Sequence, residues 1–411
     1  MNINIRNTLA GIMLLAAAQP ARADVIVDWN AKTLDFIVSH KMPPPPAERI
    51  IAMTHLAMFD AVNSITRKYR PYLVELPAAP TVSKEAAAAA AAATVLAAAD
   101  PKTEAGVRAA LTAYLAKIPD GAGKTEGIKL GETTAAKILE ARANDGAQAP
   151  DTYRPRTAPG IYVPTAPTVV PQWPGVKPFA LTSAAQFRPA PPPALTSAAW
   201  AANYNEMKAF GARNSTKRSA RQTEIAQFWL AADGRVFYPL VQQVAGAKEL
   251  DVDDCARLFA LVAMARADAL IAVFDAKYHY EFWRPVTAIR NGDIDGNPAT
   301  ERDAAWQSLA PTPMHPEYPC AHCIEAAGMA GVIETLLGGA EIPQVSMTSP
   351  TASGVTHRWT NVHAFVDEVA EARIWAGFHW RFSTEVGRDM GYKIGRYVAA
   401  NYMQPVTTAK H

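Results

Sequence analysis

Apolar residues recur at three- and four-residue intervals along most of this chain, the period of helices that bury one face. Leu34, Ile37 and Val38 follow Asp28-Trp29-Asn30, and after Pro43 to Pro46 a second stretch sets Ile50, Ile51, Met53, Leu56, Ala57 and Phe59 at helical spacing. Ser83 stands where an N-cap belongs, ahead of Lys84 to Ala99. The unbroken alanines from 86 to 93 favour helix yet carry little side chain, which predicts close packing on a neighbour. Further helices are predicted over about 103–116, 124–144, 197–210, 220–230, 253–283, 321–337, 362–375 and 384–401. No segment shows sustained strand alternation or hairpin signals, so the expected fold class is all-α, a bundle of about ten or more helices.

Between 150 and 193 the helical pattern breaks, with prolines at 155, 159, 164, 167, 171, 174, 178, 189 and 191–193 and with Trp173 and Phe179 among them. Proline at that density, undiluted by Gly or Ser, suits an ordered strap over a helical surface better than a free linker. The expected organisation is a leader (1–23), an N-terminal helical region (24–149), the strap (150–194) and a C-terminal helical region (195–411).

The leader expectation rests on Arg6, the apolar run from Leu9 to Ala18, and Ala21-Arg22-Ala23 before Asp24: charge, apolar core and cleavage pattern of a secretory signal. Cleavage is predicted after Ala23, placing the mature chain in the periplasm or outside the cell. Losing Arg6 and Arg22 takes Lys+Arg from 40 to 38 against 38 Asp+Glu. A formally neutral chain offers no global field for nucleic acid, and no later run reaches the length of a membrane helix, so any cationic site must be a local cluster. Oligomeric state is left open.

Three segments carry chemistry. Cys320-Ala321-His322-Cys323 has thiol oxidoreductase spacing, but it lies deep in a helical chain, no second ligand pair for zinc stands near it, and Ile324 occupies the place where c-type haem needs His. The alternative is a turn opening a helix, where N-terminal amides favour an anion. Lys277 and Arg284, two helical turns apart, are expected on one helix face ending at Pro285, flanked by Phe274, Phe282 and Trp283. A cation buried among such residues needs an anion, and a phosphate-like oxyanion suits an Arg fork. Arg373 and His379 are six apart and would diverge on a straight helix; Gly377 predicts a break, with His379 at the opening of the next helix.

Together these blocks, Lys277-x6-Arg284-Pro285, Pro319-Cys320-Ala321-His322 and Ala372-Arg373-x5-His379-x3-Ser383, resemble the type 2 phosphatidic acid phosphatase and vanadium-dependent haloperoxidase superfamily, in particular its bacterial haloperoxidase-like branch. The resemblance implies a helical bundle holding vanadate or phosphate with Lys277, Arg284, Arg373 and the Cys320-Ala321 turn, with His379 as vanadium ligand or phosphorus-attacking nucleophile and His322 as general acid or base. It implies hydrogen peroxide and halide as substrates in one case, a phosphate ester in the other; a non-catalytic anion-binding protein remains a further alternative. Three positions depart from the family pattern: Cys320 for Ser, Ala321 for Gly, which requires a negative φ, and Ser383 for the Asp that would orient His379. Glu385 is the nearest replacement carboxylate, and Cys320 and Cys323 are candidates for a disulfide. The resemblance also places His315 on the halide side of the pocket, implying bromide and iodide over chloride, with a pH response near the ~6.5 of free imidazole.

Overall fold

The computed structural model describes residues 24–231 and 234–406, so the predicted leader and its cleavage site lie outside the described residues. The N-terminal region folds as α1 (Val25–Ser39), α2 (Pro44–Thr66), α3 (Lys84–Ala99), α4 (Glu104–Leu115) and α5 (Ala122–Arg142). Asp24 caps α1 through the Ile26 amide at 3.0 Å, and Ser83, as expected, caps α3 through the Ala86 amide at 3.1 Å. The alanine face of α3 is buried so closely that a Cβ added to Gly131 of α5 would lie 2.1 Å from the Ala87 carbonyl oxygen. Small residues here let three backbones approach, which larger side chains would hold apart.

The C-terminal region supplies α6 (Ala198–Phe210), α7 (Ala220–Phe228), α8 (Tyr238–Ala247), α9 (Val252–Tyr280), α10 (Pro285–Arg290), α11 (Ala321–Leu337), α12 (Val362–Trp375) and α13 (Arg381–Asn401). Helix α9 is buried along most of its length and packs on α2, α11 and α13, so one apolar cluster runs from Val25 to Met403. Helices α11 and α13 touch backbone to backbone: a Cβ on Gly391 would meet the Ile324 carbonyl oxygen at 2.4 Å, and one on Gly395 that of Gly328 at 2.2 Å. Among the described residues no helix is long and apolar enough to cross a membrane.

Hydrogen bonds tie the proline-rich segment to the helices beneath it. Asp268, buried in α9, accepts hydrogen bonds from the amides of Phe179, Ala180 and Leu181 at 2.6, 2.7 and 2.8 Å. Further along, Trp283 donates to the Gly160 carbonyl at 3.0 Å, Tyr162 to that of Glu281 at 2.7 Å, and Val169 to that of Met314 at 2.9 Å.

Two sequence expectations are corrected. The chain does form strands, β1 (Glu341–Ser349) and β2 (Ala352–Asn361), paired antiparallel with Val345 opposite Trp359 and Met347 opposite His357. Their alternation is broken by Pro343 and buries only one face, so it reads weakly; the protein is still a helical bundle with one small ribbon. Helix α9 does not reach Trp283. It ends at Tyr280 because Glu281 turns left-handed at φ 49°, and the strap then pairs with the chain beyond it.

Candidate functional site

Because α9 stops early, Lys277 and Arg284 are not on one helix face, correcting that expectation: Lys277 sits in the last turn of α9 and Arg284 is the residue just before α10. The turn between them nevertheless returns both side chains to one place. Arg373 comes from the last turn of α12, which ends at Trp375. Gly377 then takes φ +82° where a Cβ would lie 2.5 Å from the Gly211 carbonyl oxygen, and α13 opens at Arg381, leaving His379 in the break as predicted. Cys320 caps α11, with Ala321 and His322 as its first two residues, so Ala321 is helical and needs no positive φ.

Lys277, Arg284 and Arg373 are all at most 2% exposed, and among the described residues none of them forms an ion pair with a carboxylate. Lys277 Nζ donates to the carbonyls of Pro316, Glu317 and Pro319 at 3.0, 2.7 and 2.5 Å, tying down the loop before Cys320. Arg284 donates through Nε to the His315 carbonyl at 2.9 Å and through Nη1 to that of Phe378 at 3.1 Å, with Nη2 3.0 Å from His315 Nδ1. Arg373 donates through Nη1 to the Trp229 carbonyl at 2.6 Å, and its buried Nε has no partner. Burial, helped by their mutual repulsion, pushes the Lys277 ammonium well below its ordinary pKa and Arg284 down to about 10.

His379 is oriented by a residue that sequence reasoning missed. Its Nδ1 lies 2.7 Å from Glu317 Oε1, while Nε2 lies 3.2 Å from Arg284 Nη1. A guanidinium only donates, so Nε2 accepts and the ring proton resides on Nδ1, directed at Glu317. Glu317 is fully buried; burial raises its pKa to about 8 against the pull of Lys277, Arg284 and the Ser383 hydroxyl. Glu385, the replacement expected from sequence, is exposed on α13 and plays no such part. Glu317 was signalled only by an acid set between His315-Pro316 and Tyr318-Pro319.

Beside these groups opens a cavity of about 420 Å³, with Pro43, Leu270, Phe274 and Met314 among its apolar walls and His315, His322, Arg373 and His379 at its polar end. His322 Nε2 lies 3.3 Å from the Ala231 carbonyl oxygen, and burial with the Arg373 charge keeps the ring neutral, far below the usual imidazole range. His315 lines the same cavity, but burial together with Arg284 and Lys277 holds it well below that range too. Without an anion in the pocket this side chain is therefore neutral.

Cys320 and Cys323 are free thiols, with their sulfurs 2.7 Å apart. Burial raises the Cys320 thiol, but the hydrogen bond from Cys323 and the charge of Arg373 bring it down to about 7. Among the described residues no His, Cys, Asp and Glu cluster could hold a metal ion.

Residues 257–408 match the model of the vanadium chloroperoxidase second helical-bundle domain. The vanadium chloroperoxidase of Curvularia inaequalis is 27% identical over 241 residues; the match covers 44% of this chain and 39% of that protein, well under two thirds of its length. Among solved structures, a bacterial vanadium-dependent iodoperoxidase superposes with a TM-score of 0.80 at 23% identity, covering 95% of this chain and all of that one. A bacterial vanadium-dependent chloroperoxidase in its holo form gives 0.72 at 18% identity, covering 87% of this chain and 91% of that one.

Proposed function

We propose that this chain, whose C-terminal bundle is of the vanadium haloperoxidase type, is a vanadate-dependent haloperoxidase that uses hydrogen peroxide to oxidise halide, bromide and iodide before chloride. The observation that carries the reading is three buried cations without a carboxylate partner, gathered around His379, whose Nε2 meets no group but the Arg284 guanidinium. Cations gathered in a dry interior favour an anion, whose charge would in turn hold Lys277 protonated. The donors present fit vanadate: the unpartnered Arg373 Nε, the second N–H of Arg284 Nη2, whose first meets His315, and the amides of Ala321 and His322 at the opening of α11. When bound, vanadate would supply a Lewis-acidic centre that activates peroxide for oxygen transfer to halide without changing its own oxidation state.

The chain's residues have separable tasks. Arg284 and Arg373 balance the oxyanion charge. Lys277 adds field while folding the loop that precedes Cys320. His379, with its proton held on Nδ1, presents Nε2 as the ligand. His322, neutral without an anion, gains basicity once the charge of Arg373 is balanced, and moves protons on the peroxide side. His315 takes one Nη2 donor of Arg284 that would otherwise polarise the oxyanion; the weaker pull favours the more easily oxidised halides. The leader-like pattern of residues 6–23 supports a periplasmic or extracellular setting for this work.

A phosphatase of the same fold is the second reading. It is favoured by the same His379 geometry, since Nε2 with Nδ1–H on an acceptor is also a nucleophile. One preparation assayed twice decides between them. Vanadate-loaded protein should brominate an acceptor only with peroxide, and should hydrolyse phosphate esters poorly; efficient hydrolysis inhibited by vanadate would establish the phosphatase instead. Absence of both activities and of oxyanion binding would overturn the enzyme reading.

A further inference from the structure

We propose that Glu317 is the positioning residue for His379, replacing from the loop before α11 the carboxylate that the sequence pattern loses at Ser383. The inference rests on the reading of His379 as ligand or nucleophile. One oxygen, Glu317 Oε1, receives both the His379 ring proton at 2.7 Å and the Trp380 amide at 3.1 Å, so it fixes the ring and the backbone that enters α13 together. Its own backbone is held on both sides: the Glu317 amide donates to the Phe282 carbonyl at 2.8 Å, and its carbonyl receives Lys277 Nζ at 2.7 Å.

The other oxygen, Oε2, and the Ser383 hydroxyl are both buried and lack a hydrogen-bond partner of normal geometry. Each is nevertheless the other's neighbour, because Ser383 acts on the Glu317 carboxyl. A carboxylate placed at 383 would therefore reach the region that Glu317 now fills. An acceptor on Nδ1–H keeps the Nε2 lone pair directed outward and makes it a better donor to a bound electrophilic atom. It has much less to offer an oxyanion that only accepts hydrogen bonds from its surroundings.

That difference supplies the test. Vanadate and phosphate affinities are measured by calorimetry on the folded full chain for wild type, Glu317→Ala and Glu317→Ala/Ser383→Asp. The single variant should lose about 10- to 100-fold in vanadate affinity, the usual cost of removing a ligand's orienting partner, and at most about threefold in phosphate affinity. Adding Asp at 383 should recover most of the loss. Parallel losses for both anions, no loss, or no recovery in a double variant that melts like wild type would overturn the proposal. If the alanine variants do not fold, Glu317→Gln carries the test: it keeps the shape with a weaker acceptor, should shift the vanadate-to-phosphate ratio the same way by a smaller factor, and overturns the proposal if the ratio is unchanged. Wild type that binds vanadate no more tightly than phosphate would remove the vanadium-ligand reading alone. In that case phosphate-ester turnover reads Glu317 instead, with Glu317→Gln expected to lower kcat while KM holds, and an unchanged kcat overturning the proposal.

Discussion

Two buried arginine centres lie within the same bundle, and their surroundings could hardly differ more. Arg266 of α9 is fully buried and meets Glu48 at 2.7 Å and Glu325 at 3.0 Å, while Tyr238 donates to the second oxygen of Glu48 at 3.1 Å. Arg373, equally buried, has one carbonyl and an unpartnered Nε, with Lys277 and Arg284 as further cations nearby. Glu325 lines the cavity together with Arg373, one helical turn beyond His322, yet its ion pair is with Arg266. Carboxyl groups are thus available in this interior, and two of them meet Arg266, whose Nε and Nη1 also lack hydrogen-bond partners, while none meets Arg373. An incomplete buried charge cluster marks where a ligand belongs more surely than the presence of arginine does.

The largest effect that would break this contrast is on the histidines of the open centre. His379→Ala should abolish turnover, while His322→Ala should keep oxyanion binding and lower turnover by ~10²- to 10⁴-fold; steady-state kinetics with a binding isotherm separates the two. Retained activity in His379→Ala would remove the ligand assignment.

The next effect sets the two arginines against each other. Arg266→Met should cost about 3–5 kcal/mol in a denaturant melt, because it strands buried carboxyls. Arg373→Met should stabilise the anion-free protein by about 1 kcal/mol, the pattern expected where function holds an unpaired charge in place. It should also lower turnover by roughly 10²- to 10³-fold. Melts that fall equally would mean that the centres do not differ.

Phosphate sharpens the same comparison from the ligand side. At about 100 times its Kd it should stabilise wild type by ~2.7 kcal/mol and Arg266→Met by as much relative to its own baseline, but Arg373→Met far less.

The smallest effect is in pH. Burial pushes Glu325 from an ordinary 4.5 up to about 8, only partly offset by Arg266, so the folded chain keeps a proton that the unfolded chain releases. The stability this contributes is full below about 4.5 and is lost as pH rises through 8. Paired melts across that window should therefore show wild type losing ground to Glu325→Gln as pH rises; a constant difference would show that Glu325 does not titrate there.

Much of the bundle was legible because its signals are local: the Ser83 cap, the helical periods, the proline strap and the break at Gly377 each depend on neighbours within a turn or two. The three cation-bearing blocks were legible for the same reason. What stayed hidden depends on contacts between distant segments. Glu317 reaches His379 across 62 positions, and nothing between them announces the approach. The early end of α9 follows from the strap pairing at Gly160 and Tyr162, and the Lys277 ammonium is directed at carbonyls, groups that every residue carries and no sequence distinguishes. The ribbon was overlooked because a one-faced pair of strands interrupted by proline has little alternation to show.

The glycine contact between α11 and α13 makes the site a clasp whose hinge runs along the helix pair from Gly387 at Cys320 to Gly395 at Gly328. His322 is the second residue of α11 and His379 stands just before α13, so the gap between them is gauged by two backbones pressed together with no side chains to yield. Adding a single methyl at Gly395, where α13 meets the Gly328 backbone, would prise the arms apart and spread the jaws. For anyone reshaping this pocket, its walls are adjustable parts, whereas the glycine seam is the calibration.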